Sequence, residues 1–286
     1  MRIVVVGARG QLGAAVAHEC GSAHEVEAFG RAELDVADAA AVASAMARVR
    51  PDVIVNGAAF TDVDAAEDRP VDALNVNAFG VRALARAART HGATFVHYST
   101  DFVFDGRASE PYTEADRPNP QNTYAASKLL GEWFALDALR AYVLRVESLF
   151  GRAPGAPPAK GSAAGILTTL LAGGSPKVFE DRTISPTYVV DAARATRLLV
   201  EGSAAHGVYH CVNSGCCTWL EFAEELARQL GIEATFTRVR TSDVQLKARR
   251  PLYCALSNEK LRSIGIAMPP WRDALRRFVE ARAVIR

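Results

Sequence analysis

Tyr124 and Lys128 stand four residues apart in NTYAASKLL, the stretch from Asn122 to Leu130, whose other members are mostly small or apolar. On a helix that spacing puts both side chains on one face, about 6 Å apart along the axis. An ammonium beside a phenol favours the phenolate. Lys128 is therefore expected to draw Tyr124 down from an unperturbed value of about 10 and make it a proton donor or acceptor at working pH. A tyrosine packed one turn beneath a solvated lysine fits the same spacing, and the pair alone does not separate the two readings.

The surrounding chain has the pattern of a scaffold that could hold such a pair. Apolar runs of strand length alternate with helix-length segments: Ile3–Val6, a helix from about Leu12, Val26–Phe29, a helix over Ala39–Val49, Val53–Val55, a helix over Val71–Thr90, then Thr94–Tyr98. Continuous β-branched runs separated by helices predict an α/β protein with a doubly wound parallel sheet of the Rossmann type, covered on both faces. After the segment bearing Tyr124, AYVLRVESLF reads as one more buried strand. The Gly- and Pro-rich GRAPGAPPAKGSAAG, residues 151–165, reads as a surface loop or lid. Further on come a helix near Val189–Val200, a strand around Val208–Cys211, a helix over Thr218–Leu230 and a terminal helix from near Trp271. The expected division is a dinucleotide-binding core over 1–150 and a smaller C-terminal α/β substrate lobe over 151–286, interleaved with it.

Composition excludes several other functions. Thirty-three Lys and Arg against 32 Asp and Glu give a net charge of +1, so nothing electrostatic calls for nucleic acid or an anionic membrane. The five cysteines form no CxxC and no paired framework, which favours a reducing compartment. With no secretory signal pattern and no run long enough to span a membrane, the chain is expected to be cytoplasmic. The six histidines make no metal-binding spacing, no GxSxG elbow occurs, and no metal is expected. His97 reads as a core residue.

Gly7, Gly10 and Gly13 follow the first predicted strand and run into a helix. A glycine turn there lets the backbone approach a pyrophosphate, whose charge sits on the helix N-terminus, where Gln11 and Leu12 also lie. The second strand ends at Phe29 and is followed by Gly30 and Arg31, without the acid that would bind the ribose hydroxyls of NAD. Arg31, with Arg9 from the glycine loop, can instead fork around a 2′-phosphate. NADPH is thus expected ahead of NADH. Two solvated surface arginines are the competing reading.

Taken in order, GxxGxxG, NGAAFTDVDAAE, VHYSTDFVFDG and YAASK resemble the extended short-chain dehydrogenase/reductases, and STDFVFDG within them resembles the dTDP-4-dehydrorhamnose reductase family. The match spans roughly residues 1–150. It implies that Tyr124 protonates a substrate carbonyl as hydride arrives, that Lys128 tunes the phenol and binds the nicotinamide ribose, and that Thr100 binds the same carbonyl oxygen beside Asp101. Two donors aimed at that oxygen stabilise the transition state more than the ketone. The resemblance also places Asp35 and Val36 by the adenine, Ala58, Ala59 and Thr61 along the cofactor, and Tyr98 on the nicotinamide side. For Asp35 an N-cap role is the alternative. A homodimer through core helices is a further implication.

Two departures bear on the substrate. Where the family strand reads like RTSWVYG, this chain has Ser148 in place of the tryptophan beside the sugar. In DRTISPTYVVDAARA, Arg182 is free either to clamp a nucleotide diphosphate or to cap a helix or pair with Asp191. The reading is reduction of the 4-keto group of a nucleotide-activated 6-deoxysugar. The alternatives are a reductase of another carbonyl compound, or a non-catalytic dinucleotide-binding subunit like the regulatory β subunit of methionine adenosyltransferase, which has no need of a proton donor beside a nicotinamide.

Overall fold

The computed structural model describes residues 1–156 and 161–283. Its central sheet contains β1 (Arg2–Val6), β2 (Glu25–Phe29), β3 (Val53–Asn56), β4 (Thr94–Thr100) and β5 (Ala141–Val146), closed by the strand Gly207–His210. Across the sheet the order is β2, β1, β3, β4, β5, Gly207–His210, with every neighbouring pair parallel. The chain runs outward from β1 to β2, then returns to place β3 on the other side of β1. That reversal opens a crevice at the carboxyl ends of β1 and β3, where doubly wound sheets bind ligands.

Around the sheet lie α1 (Gln11–Gly21), α2 (Ala39–Val49), α3 (Val63–Asp68), α4 (Pro70–Leu74), α5 (Gly80–His91) and α6 (Thr123–Leu136). The second half adds α7 (Ser162–Leu171), α8 (Val189–Glu201), α9 (Trp219–Leu230), α10 (Glu259–Ser263) and α11 (Trp271–Ala283). Strand alternation sends Ile3, Val5, Val55, Val96 and Tyr98 to one face, packed against α1 and α8. Val4, Val6, Ile54 and Phe95 face the other way, against α2 and α5. A separate cluster of Phe150, Ile166, Leu170, Trp219, Phe222 and Trp271 is built largely from α7, α9 and α11.

Three expectations change. The single helix over Val71–Thr90 is instead α4, a π-helical turn over Asn75–Phe79, and α5, with α3 unforeseen before them. The π turn widens the coil beside α6, where a Cβ on Gly131 would sit 2.2 Å from the Asn77 carbonyl oxygen. AYVLRVESLF is broken because Ser148 has φ 42°, a left-handed conformation that cannot continue a strand. Leu149–Phe150 pairs with Thr187–Tyr188 instead. Finally, part of the expected loop, 157–160, lies outside the described residues, and its SAAG end starts α7.

Candidate active site

The glycine loop is built for close approach. Gly7 has φ 75°, and a Cβ there would lie 2.4 Å from the Ala58 amide nitrogen; one on Gly13 would lie 2.3 Å from the Gly7 oxygen. The missing side chains let β1, α1 and the β3 loop close on one another, leaving a cavity of about 230 Å³ at the crevice. Gly7, Arg9, Gly10, Arg31, Asp35, Val36, Ala58 and Ala59 all line it, as do Leu34 and Phe60, which sequence reasoning missed. Gly10 N-caps α1 without a side-chain cap, so the first amides of α1 stay open to a phosphate. This cradle fits a dinucleotide.

Other expected cofactor residues sit differently. The Gln11 amide donates to the Gly151 carbonyl at 2.7 Å and Leu12 is buried in the core, so both can meet a phosphate only through the backbone. Thr61 is exposed, one residue beyond Phe60. Asp35 accepts from the Ala37 amide, and the N-cap of α2 is Asp38. Tyr98 points its ring toward α8, where its hydroxyl bonds Thr196, because strand alternation turns it to the α1 and α8 face. Only its backbone carbonyl serves the site.

At the adenosine end the structure adds an acid. Glu33, four residues beyond Phe29, pairs with Arg9 at 3.0 Å, so the turn is not free of carboxylate as the sequence suggested. Both side chains are well exposed, and an exposed pair of this kind contributes little. A phosphate can replace it at small cost. Arg31 is exposed on the same cavity.

The reactive end lies where β4 meets α6. Asn122 caps α6 through its Oδ1, which accepts from the Ala125 amide at 2.8 Å, and this fixes the first turn bearing Tyr124. Lys128, one turn on, is 3% exposed and donates to the Tyr98 carbonyl at 2.6 Å. Burial lowers its amine to about 8, partly opposed by Glu132. Tyr124 does not fall as the spacing predicted. Burial first, then the charge of Asp101, push its phenol up to about 12, against a downward pull from the Thr100 hydroxyl. The ammonium is committed to the Tyr98 carbonyl, and burial with the charge of Asp101 keeps the phenol protonated at neutral pH.

Asn77 ties the two ends together and was missed as a site residue. Fully buried in the π turn, it accepts from the Phe60 amide at 2.8 Å and donates to the Phe60 carbonyl and to Ser127 Oγ, each at 3.0 Å. It thus holds the cavity wall against the helix bearing Tyr124. An asparagine within a predicted amphipathic helix was the available signal.

Thr100 and Asp101 end β4, both buried, and the Thr100 hydroxyl donates to Asp101 Oδ1 at 2.9 Å. Ser148 is half-buried next to Glu147. Arg182 is buried between the rings of Phe102 and Phe179 and donates to the Pro251 carbonyl at 3.3 Å. It does not pair with Asp191, which is held by Arg277 and Asn213. His97 is fully buried, bonded to Asn56, and kept neutral by burial.

Comparison with known proteins agrees with this geometry. The family described as the RmlD substrate binding domain matches residues 1–284. The spore coat polysaccharide biosynthesis protein SpsK of Bacillus subtilis (strain 168) is 33% identical, over 99% of this chain and 98% of that one. A dTDP-4-dehydrorhamnose reductase of Streptomyces griseus is 36% identical over 96% of this chain and 91% of its own. The dTDP-4-dehydrorhamnose reductase of Bacillus anthracis str. Ames, solved in complex with NADP, superposes with a TM-score of 0.90 at 31% identity, covering 98% and 99% of the two chains. Matched over almost its full length, the chain belongs to the RmlD substrate binding domain family.

Proposed function

We propose that the protein is an NADPH-dependent oxidoreductase that reduces the 4-keto group of a nucleotide-activated 6-deoxysugar, in the manner of the dTDP-4-dehydrorhamnose reductases it resembles. The observation that carries the reading is a protonated, half-buried Tyr124 beside Thr100, on a helix that Asn77 fastens to the wall of the glycine-loop cavity. Bound in that cavity, NADPH supplies the hydride. Tyr124 gives its proton to the carbonyl oxygen, and Thr100 donates to the same oxygen as charge develops there. Lys128 fixes the nicotinamide side from beneath, through the Tyr98 carbonyl. Asp101, Ser148 and Arg182 form the sugar side. We infer that residues 151–286 act as the substrate lobe. Exposed Phe79 and Trp133 support a homodimer through core helices, and five free cysteines support a cytoplasmic setting.

The test is a panel of keto-sugar nucleotides scored by NADPH oxidation, with dTDP-4-dehydrorhamnose first. Turnover of at least one member is expected; tight NADPH binding with no turnover across the panel contradicts the reading. In the same assay Arg31→Asp should move the ratio of kcat/KM for NADPH over NADH toward NADH by about tenfold or more, the worth of one hydrogen bond to a charged group. An unchanged ratio removes Arg31 from the 2′-phosphate.

A further inference from the structure

The stretch NGAAFTDVDAAE ends on an acid, Glu67, that neither the glycine-loop cavity nor the reduction as described uses. Half-buried on α3, Glu67 reaches across to the start of α6. Its Oε1 accepts from the Thr123 amide at 2.8 Å, and its Oε2 from the Thr123 hydroxyl at 3.0 Å. Thr123 is the first residue of α6, and its amide is one of the four that a helix leaves without an intrahelical acceptor. A carboxylate there also faces the positive end of the helix dipole. Among the described residues, the Glu67 side chain hydrogen-bonds to Thr123 alone.

Tyr124 is the next residue. Farther along, α6 is fixed by the Asn77 bond to Ser127 and by the Lys128 bond to the Tyr98 carbonyl. Ahead of Tyr124 the chain is held by Glu67 and by Asn122, which donates to the Arg249 carbonyl at 2.8 Å while capping the helix. The base of the Glu67 tether is firm. Ala66 is fully buried, Asp62 caps α3 by accepting from the Ala65 amide at 3.0 Å, and Asp64 accepts from the Ala248 amide and the Arg250 guanidinium, each at 2.9 Å. A proton donor acts only within about 2.6–3.2 Å of the oxygen it protonates, and a displacement of about 1 Å can cost about a hundredfold in rate. A tether on the residue just before the tyrosine therefore bears directly on the chemistry.

We propose that Glu67 is a positioning residue of the reaction: anchored on α3, its carboxylate holds the Thr123 amide and hydroxyl and thereby sets where Tyr124 presents its proton to the substrate carbonyl. The inference rests on the reductase reading. Glu67 acts through Thr123 and exchanges no proton with the substrate.

Glu67→Ala should lower kcat by about tenfold or more, leave the Kd for NADPH near wild type, and raise the solvent deuterium isotope effect on kcat, because proton delivery slows relative to hydride transfer. Loss of folded protein alone lowers the rate without moving the isotope effect. Glu67→Gln keeps an acceptor for the Thr123 amide and offers a donor to the hydroxyl oxygen, so it should restore most of the rate. Asp64→Ala loosens α3 from residues 248–250 but not from Thr123, and should leave the isotope effect at its wild-type value. A Glu67→Ala enzyme with wild-type kcat, or with a lower kcat and an unchanged isotope effect, overturns the proposal. Amide hydrogen exchange reads the same tether without turnover. Glu67→Ala should exchange faster over residues 122–127 while β4 keeps its protection. If no sugar nucleotide is turned over, exchange alone decides, and unchanged protection at the first turn of α6 overturns the proposal.

Discussion

Replacing Tyr124 with phenylalanine should lower kcat by about a hundredfold or more while leaving the Kd for NADPH near its wild-type value. The ring of Tyr124 packs edge-on against Phe102 with centroids 5.9 Å apart, a contact that phenylalanine preserves. Only the hydroxyl is lost. A phenol pushed up to about 12 is fully protonated through the neutral range, so the acid is loaded before substrate arrives. Lys128, held down to about 8, is the group in this pair whose charge changes above neutral pH. Steady-state rates together with a fluorescence titration of NADPH check both halves of the prediction. Near-normal turnover by the variant would remove Tyr124 from the chemistry.

Glu132→Ala should destabilise the protein by about 3–5 kcal/mol, because it leaves a buried guanidinium without its counter-charge. Arg145 on β5 reaches Glu132 on α6 through two hydrogen bonds of 2.9 and 2.8 Å, with the side chains only 4% and 3% exposed. The guanidinium also lies 5.0 Å from the Phe104 ring centroid and faces His210, which burial and Arg145 itself hold down to about 3 and thus neutral. No other carboxylate forms an ion pair with Arg145 among the described residues. For a chain of this size the loss should lower the melting temperature by roughly 6–20 °C. Replacing both partners with leucine should cost much less than replacing Glu132 alone, since the penalty comes from the stranded charge. Urea unfolding of the single and double variants measures the difference. Because α6 also carries Tyr124 and Lys128, activity should fail over the same temperature range as the fold.

The sequence was most informative where local pattern alone decides structure. The helix Ala39–Val49 has the boundaries its periodicity predicts, β1 to β4 lie where the β-branched runs put them, and the helix expected over Thr218–Leu230 runs from Trp219 to Leu230, with Thr218 as its N-cap. The glycine loop was legible because three missing side chains are visible as letters. Side-chain direction was not. Gln11 and Tyr98 stand at the expected positions but spend their side chains on Gly151 and Thr196, partners 140 and 98 residues away. Asn77 was overlooked for the same reason: it lies within an apolar pattern and acquires its role only when the Phe60 loop and α6 converge on it. The upward shift of Tyr124 also follows from long-range placement, because burial and the charge of Asp101 act on the phenol while Lys128 is turned to the Tyr98 carbonyl.

In the proposed reaction, hydride and proton are added across a sugar ketone in this site. NADPH deuterated at the transferring position, incubated with wild-type protein and dTDP-4-dehydrorhamnose, tests it most directly. The predicted product is an alcohol carrying one deuterium on the former carbonyl carbon, formed in step with cofactor oxidation. Recovery of an unlabelled sugar, or of an isomerised ketone with the cofactor unchanged, would contradict it.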